Sequence, residues 1–192
     1  EEPEEMILDA MGMFRIYEDS DPTYILMLKG NADGMELAGR MGASQLRNLL
    51  YAYKERMDKN RFIQNLLLDN LLLVDIYNQA KKMKIPAEIK RVVFVIEPKN
   101  EGDILVQETL KGLYATGTKD FVTAIDEKHI ILVKSLQSTD DYPQVEQIAK
   151  ELVTTLNMEA MVSVRAAYGT IVEELKDVSR SYKEADMALE VG

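Results

Sequence analysis

The sequence contains no cysteine. That removes a disulfide framework, a thiolate metal site and a Cys nucleophile, and it fits a cytoplasmic chain. Histidine occurs once, at His129, and no Ser stands in a nucleophile elbow beside it, so acyl-transfer catalysis lacks its parts. Basic residues are in the minority: 23 Lys and Arg against 33 Asp and Glu give a net charge of −10. A surface that grips nucleic acid needs clustered cations, so DNA binding is not expected of this stretch. No apolar run approaches the roughly 18 residues of a membrane span. The longest, 66–76, is broken by Asp69, Asn70 and Asp75. The segment 29–34, Lys-Gly-Asn-Ala-Asp-Gly, lacks the Lys-Ser/Thr ending of a phosphate loop, and no strand-to-helix context is expected around it. The acidic opening Glu1-Glu2-Pro3-Glu4-Glu5-Met6 has neither the charge nor the apolar core of a signal peptide. The sequence begins without Met and stops at Gly192 beside an expected helix end, so a piece of a longer protein is expected.

What is present is ordinary globular material. Hydrophobic residues make up 46% and charged residues 29%, enough for one large or two small domains. Residues 1–10 read as frayed or a short helix. A β-hairpin is expected at 13–17 and 24–28, around a Ser20-Asp21-Pro22 turn. After a break at 30–34, a helix is expected over 35–57. In it Leu46, Leu50, Tyr53 and Met57 recur at spacings of four, three and four. This seam is expected to form a homodimer interface; the alternative is an amphipathic helix packed on its own domain. Gly39 and Gly42 each weaken such a helix by about 1 kcal/mol relative to Ala. A second helix is expected over 61–85, apolar on several sides through Phe62, Ile63, Leu66, Leu67, Leu71, Val74 and Ile76, and so buried. Lys81, Lys82 and Lys84 complement its C-terminal dipole, and Pro86 ends it. The eleven methionines read as core filler or adaptable interface.

From residue 91 the pattern changes. The unbroken run Arg91-Val-Val-Phe-Val-Ile-Glu97 is that of a central strand buried on both faces. A turn at 98–103 leads to a helix over 103–114, closed at 115–117. A hairpin pairs 120–125 with 130–134 around Asp126-Glu127-Lys128. The next helix, 144–156, starts from Asp140 or Asp141 as N-cap with Pro143 in its first turn. A strand at 161–167, a helical turn near 171–175 and a last helix over 179–190 complete a β-α-β-β-α-β-α order. That order defines an α+β fold, related to the ferredoxin-like split pattern, with helices on a mostly antiparallel sheet.

This half of the chain resembles a GGDEF-type domain. Ala185, Asp186, Ala188 and Leu189 match the closing helix of that superfamily, and Val162, Ser163, Val164 and Ala166 match the strand before it. The hairpin Ala124-Ile125-Asp126-Glu127 stands where the signature motif would be. More narrowly, Arg61-Phe-Ile-Gln-Asn-Leu-Leu67, the run 92–97 and the ending 181–192 resemble regulators of carbohydrate-diacid and purine-catabolism operons. In those proteins a sensor domain precedes the GGDEF-like domain and a helix-turn-helix follows it. The resemblance implies an organisation of 1–34 as the end of a sensor, 35–85 as a helical linker or dimerisation segment, and 86–192 as a degenerate GGDEF-like domain.

The departures from the family pattern carry the functional expectation. A diguanylate cyclase uses two glycines to bring its backbone close to the nucleotide, and carboxylates to hold Mg²⁺ on the phosphates. Here Thr123, Ala124 and Ile125 cover the glycine positions, and Glu97 stands near the place of the first metal-binding Asp. Asp126, Glu127 and Glu97 are the nearest approach to metal ligands, and plain turn or surface residues is the preferred reading of them. The resemblance thus implies a non-catalytic module with no cofactor and no metal. It would act as a homodimer and relay a small-molecule inducer signal from an upstream sensor to a missing DNA-binding domain, without membrane contact. The alternative is a degenerate nucleotide binder or enzyme of the same superfamily.

Overall fold

The computed structural model describes every residue except 1–4, 9–10, 19–20, 31–33, 100–103 and 115–118. The expected break at 30–34 and the turns at 20–22 and 98–103 lie partly outside the described residues. Most of the expected helix end at 115–117 and part of the opening segment lie outside them as well. The chain forms two compact units, Glu1–Asp58 and Lys59–Gly192.

The first unit is a three-stranded antiparallel sheet and a helix. Its strands are β1 (Glu5–Leu8), β2 (Met11–Glu18) and β3 (Asp21–Lys29), in the order β1-β2-β3. The expected hairpin is therefore β2–β3, longer at both ends, and residues 5–8 of the opening segment form a strand rather than a frayed end or a short helix. Tyr24 pairs with Ile16 but Pro22 with Tyr17, so a bulge falls at Thr23. Helix α1 begins at Met35, so the segment 29–34 does join a strand to a helix, contrary to expectation, although it still has no Lys-Ser/Thr ending. Phe14, Ile16 and Ala43 form the small core of this unit, with Leu26, Leu28 and Leu50 packed against it. The glycines that weaken α1 have a packing reason. A Cβ on Gly39 would stand 2.0 Å from the Phe14 ring, and one on Gly42 would stand 3.0 Å from Leu26.

Helix α1 runs without a break from Met35 to Leu67, so Asp58-Lys59-Asn60 is a polar stretch of a continuing helix. The second expected helix is split instead. The chain turns at 68–72, with Asp69 at a left-handed φ of 61°, and resumes as α2 (Leu73–Lys82). The sequence Leu66-Leu-Leu-Asp-Asn-Leu-Leu-Leu-Val74 has no Gly or Pro to mark that turn, so its apolar pattern reads as continuous.

The second unit carries a four-stranded antiparallel sheet in the order β5-β6-β4-β7. The strands are β4 (Arg91–Pro98), β5 (Phe121–Ala124), β6 (Ile130–Ser135) and β7 (Val164–Tyr168). Helices α3 (Ile104–Tyr114), α4 (Tyr142–Glu159) and α5 (Val178–Val191) complete it. The unbroken run of β4 has the expected cause: both faces are covered. Val93 and Val95 join Ile131 and Val133 in a core with Phe62, Ile63, Leu66, Leu67, Ile76 and Leu189. Val92, Phe94 and Ile96 join Leu132 in the opposite core with Val106, Leu110, Val145, Leu152 and Leu156. Asp141 caps α4 in a capping box with Gln144, and Pro143 sits in the first turn, which decides between the two N-cap candidates. The helical turn before α5 is a short 3₁₀ segment, Leu175–Asp177.

Candidate functional site

The residues singled out by the resemblance gather where β4 ends, beside the β5–β6 hairpin. Glu97, one residue before the end of β4, lies opposite Arg165 in the β4–β7 register. One Glu97 carboxylate oxygen accepts from both Nε (2.9 Å) and Nη2 (2.6 Å) of Arg165. Asp126 is held inside its own turn. Its Oδ1 accepts from the backbone N–H of Lys128 at 2.8 Å and of His129 at 2.7 Å, and its Oδ2 lies 2.9 Å from Nδ1 of His129. Partial burial raises the pKa of Asp126, but the bonds from the His129 ring and the two backbone N–H groups outweigh this and leave it below the ordinary carboxylate value. His129, the lone histidine, is thus a turn residue paired to Asp126. Glu127 is exposed on the same turn. Among the described residues no three Asp, Glu or His side chains come together as a metal cluster would require.

The glycine positions of the motif are filled. Thr123 is buried on β5, and its Oγ1 has no hydrogen-bond partner. The carbonyl of Ala124 accepts from Nε2 of Gln64 at 2.8 Å, and Ile125 packs against the inner core of the sheet. Thr123 and Ile125 are thus taken up by packing within the domain, and residues bearing a Cβ stand at all three positions. Glu97 is tied to Arg165, and Asp126 is tied into its own turn.

Around Glu97 lies a cleft of about 470 Å³, lined also by Pro98, Lys99, Lys128, Ser163, Val164 and Arg165. Among the described residues its lining carries one carboxylate, paired with Arg165, and two lysines, Lys99 and Lys128.

Two features were not visible in the sequence. Asp120, just before β5, accepts from Lys134 Nζ at 2.6 Å and from the Ser135 N–H at 2.8 Å, and also from the Ser135 hydroxyl, which pins the hairpin. Arg91 is fully buried and donates to the carbonyls of Pro86 and Ile89, while its Nε has no partner. Burial lowers its pKa to about 10, against the opposing charge of Asp120, so it stays charged at neutral pH. A charged residue opening an apolar strand ordinarily signals solvent; here it ties down the loop before β4.

The expected dimer seam is divided. Leu50 packs on the Phe14–Ile16 core of its own unit, whereas Leu46, Tyr53 and Met57 are 37%, 65% and 44% exposed. All four lie on one face of α1, and the first part of that face is the one that meets the sheet.

A helix-flanked antiparallel sheet in the order β5-β6-β4-β7 is the architecture expected of the GGDEF class. Residues 70–191 match the family described as the GGDEF-like domain, and the chain belongs to that family. A solved structure of a microbial GGDEF domain, described for a novel interaction mode with bis-(3,5)-cyclic di-GMP, is similar at 14% identity with a TM-score of 0.44. The likeness covers 69% of this chain and 84% of that one. No curated protein matches the chain. No described helix is long and apolar enough to cross a membrane.

Proposed function

We propose that this chain is a non-catalytic regulatory module of a bacterial transcriptional regulator of a catabolic operon. In this reading it works in the cytoplasm as a homodimer and passes a small-molecule signal from an upstream sensor to a downstream DNA-binding domain. The narrower likeness to carbohydrate-diacid and purine-catabolism regulators belongs to the same reading. The observation that carries it is the filled hairpin: Thr123, Ala124 and Ile125 put side chains where nucleotide chemistry needs glycine, and both nearby carboxylates already have partners.

The test is incubation with GTP and Mg²⁺, followed by product analysis and calorimetry. Absence of both turnover and heat supports the module; sustained cyclic di-GMP formation overturns it. Binding without turnover favours the second reading, a nucleotide binder that has lost its chemistry, for which Lys99 and Lys128 in the lining of the Glu97 cleft speak.

A further inference from the structure

The free edge of β3 has the features of an interrupted sheet. Among the described residues no strand pairs with β3 on the side away from β2. It is nine residues long, and its segment 24–28, Tyr-Ile-Leu-Met-Leu, contains no charge, Gly or Pro. Edges of this kind are normally guarded by charge, proline or shortness, because their unpaired N–H and C=O groups recruit another strand. Ile25 and Met27, both on the sheet face away from the core, are 61% and 65% exposed.

We propose that this edge pairs antiparallel with β3 of a second copy of the chain, joining two three-stranded sheets across a two-fold axis at Leu26. This deepens the dimeric reading above and rests on it. The charges select the partner and its direction. Asp21 and Lys29, at opposite ends, are the only charged residues of β3. An antiparallel pair brings the Lys29 end of each copy to the Asp21 end of the other, whereas a parallel pair sets like beside like. The faces and the bulge together select the register: core-side pairing admits a two-fold axis at Ile25 or at Leu26, and only the latter keeps Thr23 from facing Met27. Tyr24, Leu26 and Leu28 pair with Ile16, Phe14 and Gly12 on the core side, and only a register that sets core-side residues opposite core-side residues keeps both cores covered. Centring on Leu26 sets Tyr24 opposite Leu28 of the second copy and Ile25 opposite its Met27. It also leaves the bulge at Thr23 at the margin. The self-complementary contact is the isologous kind that closes into a dimer.

The experiment uses the 192-residue chain in sedimentation velocity. The expected result is a dimer that the double variant I25K/M27K weakens about 100-fold, because each lysine then faces a lysine of the other copy. Both positions are exposed, and circular dichroism checks that the variant stays folded. I25K/M27E places opposite charges in the same rows and is expected to restore the dimer. Since the chain has no cysteine, Leu26→Cys under mild oxidation should give a disulfide-linked dimer, as residues directly opposite across antiparallel strands stand about 4.5–5.5 Å apart. A monomer at high micromolar concentration overturns both this pairing and the dimeric reading. A dimer that ignores I25K/M27K but is lost in Y53D/M57D overturns this pairing alone and leaves the dimeric reading standing. Equal loss in I25K/M27K and I25K/M27E overturns the register.

Discussion

Gly169 and Ser181 touch backbone to backbone. A Cβ on Gly169 would lie 1.9 Å from the carbonyl oxygen of Ser181, so the first turn of α5 rests directly on the end of β7. The contact completes the hydrogen bonding of the central strand. The Gly169 N–H donates to the Val93 carbonyl at 3.0 Å, and the Val93 N–H donates to the Ser181 hydroxyl at 3.1 Å. Both groups of Val93 are buried at a point where the named strand pairing of β7 has ended at Tyr168.

Gly169→Ala is therefore expected to cost about 3 kcal/mol, the upper end for overpacking, since the obstructing atom is backbone and cannot rotate away. Ser181→Ala leaves the Val93 N–H buried without a partner and is expected to cost about 1–3 kcal/mol. Urea unfolding of the two variants checks both values, and a Gly169→Ala protein of unchanged midpoint would show that α5 can lift off the strand.

Glycine to alanine changes sign along the chain. At Gly112, inside α3, an added Cβ meets nothing within 4 Å, so Gly112→Ala is expected to stabilise by about 0.5–1 kcal/mol through helix propensity. At Gly39 the same propensity gain is opposed by the Phe14 ring 2.0 Å away, and a loss of about 1–3 kcal/mol is expected. Amide hydrogen exchange should place that loss in β2 and the first half of α1, with β4 and β6 unaffected.

Asp126 makes the hairpin turn sensitive to acid. Its folded pKa lies below the ordinary value, so the unfolded chain takes up the proton first as pH falls. The stabilisation is present above the ordinary carboxylate pKa and is lost as pH drops through the folded value. Stability measured across the acidic range should fall more steeply for the parent chain than for Asp126→Asn. Parallel curves would mean that the turn holds without the carboxylate.

Arg91 tests whether a buried cation can be replaced by shape. Arg91→Ala exposes the Pro86 and Ile89 carbonyls to a void and is expected to destabilise by about 3–5 kcal/mol. Arg91→Met fills the volume without burying a charge and is expected to recover most of that loss. Thermal unfolding of the pair decides the matter, and equal losses would show that the two hydrogen bonds matter more than the space.

Local chemistry made much of this fold legible in the sequence. The run 92–96 announced a strand buried on both faces because β-branched and aromatic residues without polar breaks fit no half-exposed position. Asp140 or Asp141 with Pro143 announced the start of α4, and the capping box with Gln144 decided for Asp141. The departures from the GGDEF motif were likewise visible as missing glycines at 123–125. Properties that depend on distant residues were not legible. The split between α1 and α2 at 68–72 is marked by no Gly or Pro, only by Asp69 and Asn70 within an apolar run, with Asp69 taking the left-handed conformation. The glycines of α1 read as defects until Phe14 is seen against Gly39. Leu50 read as part of an outward seam until the β2–β3 sheet takes it into its own core. The need for Gly169 appears only when Ser181, twelve residues on, folds back against it. Periodicity and capping act over a few residues and survive in any context, whereas close approach between elements exists only once the chain has brought them together.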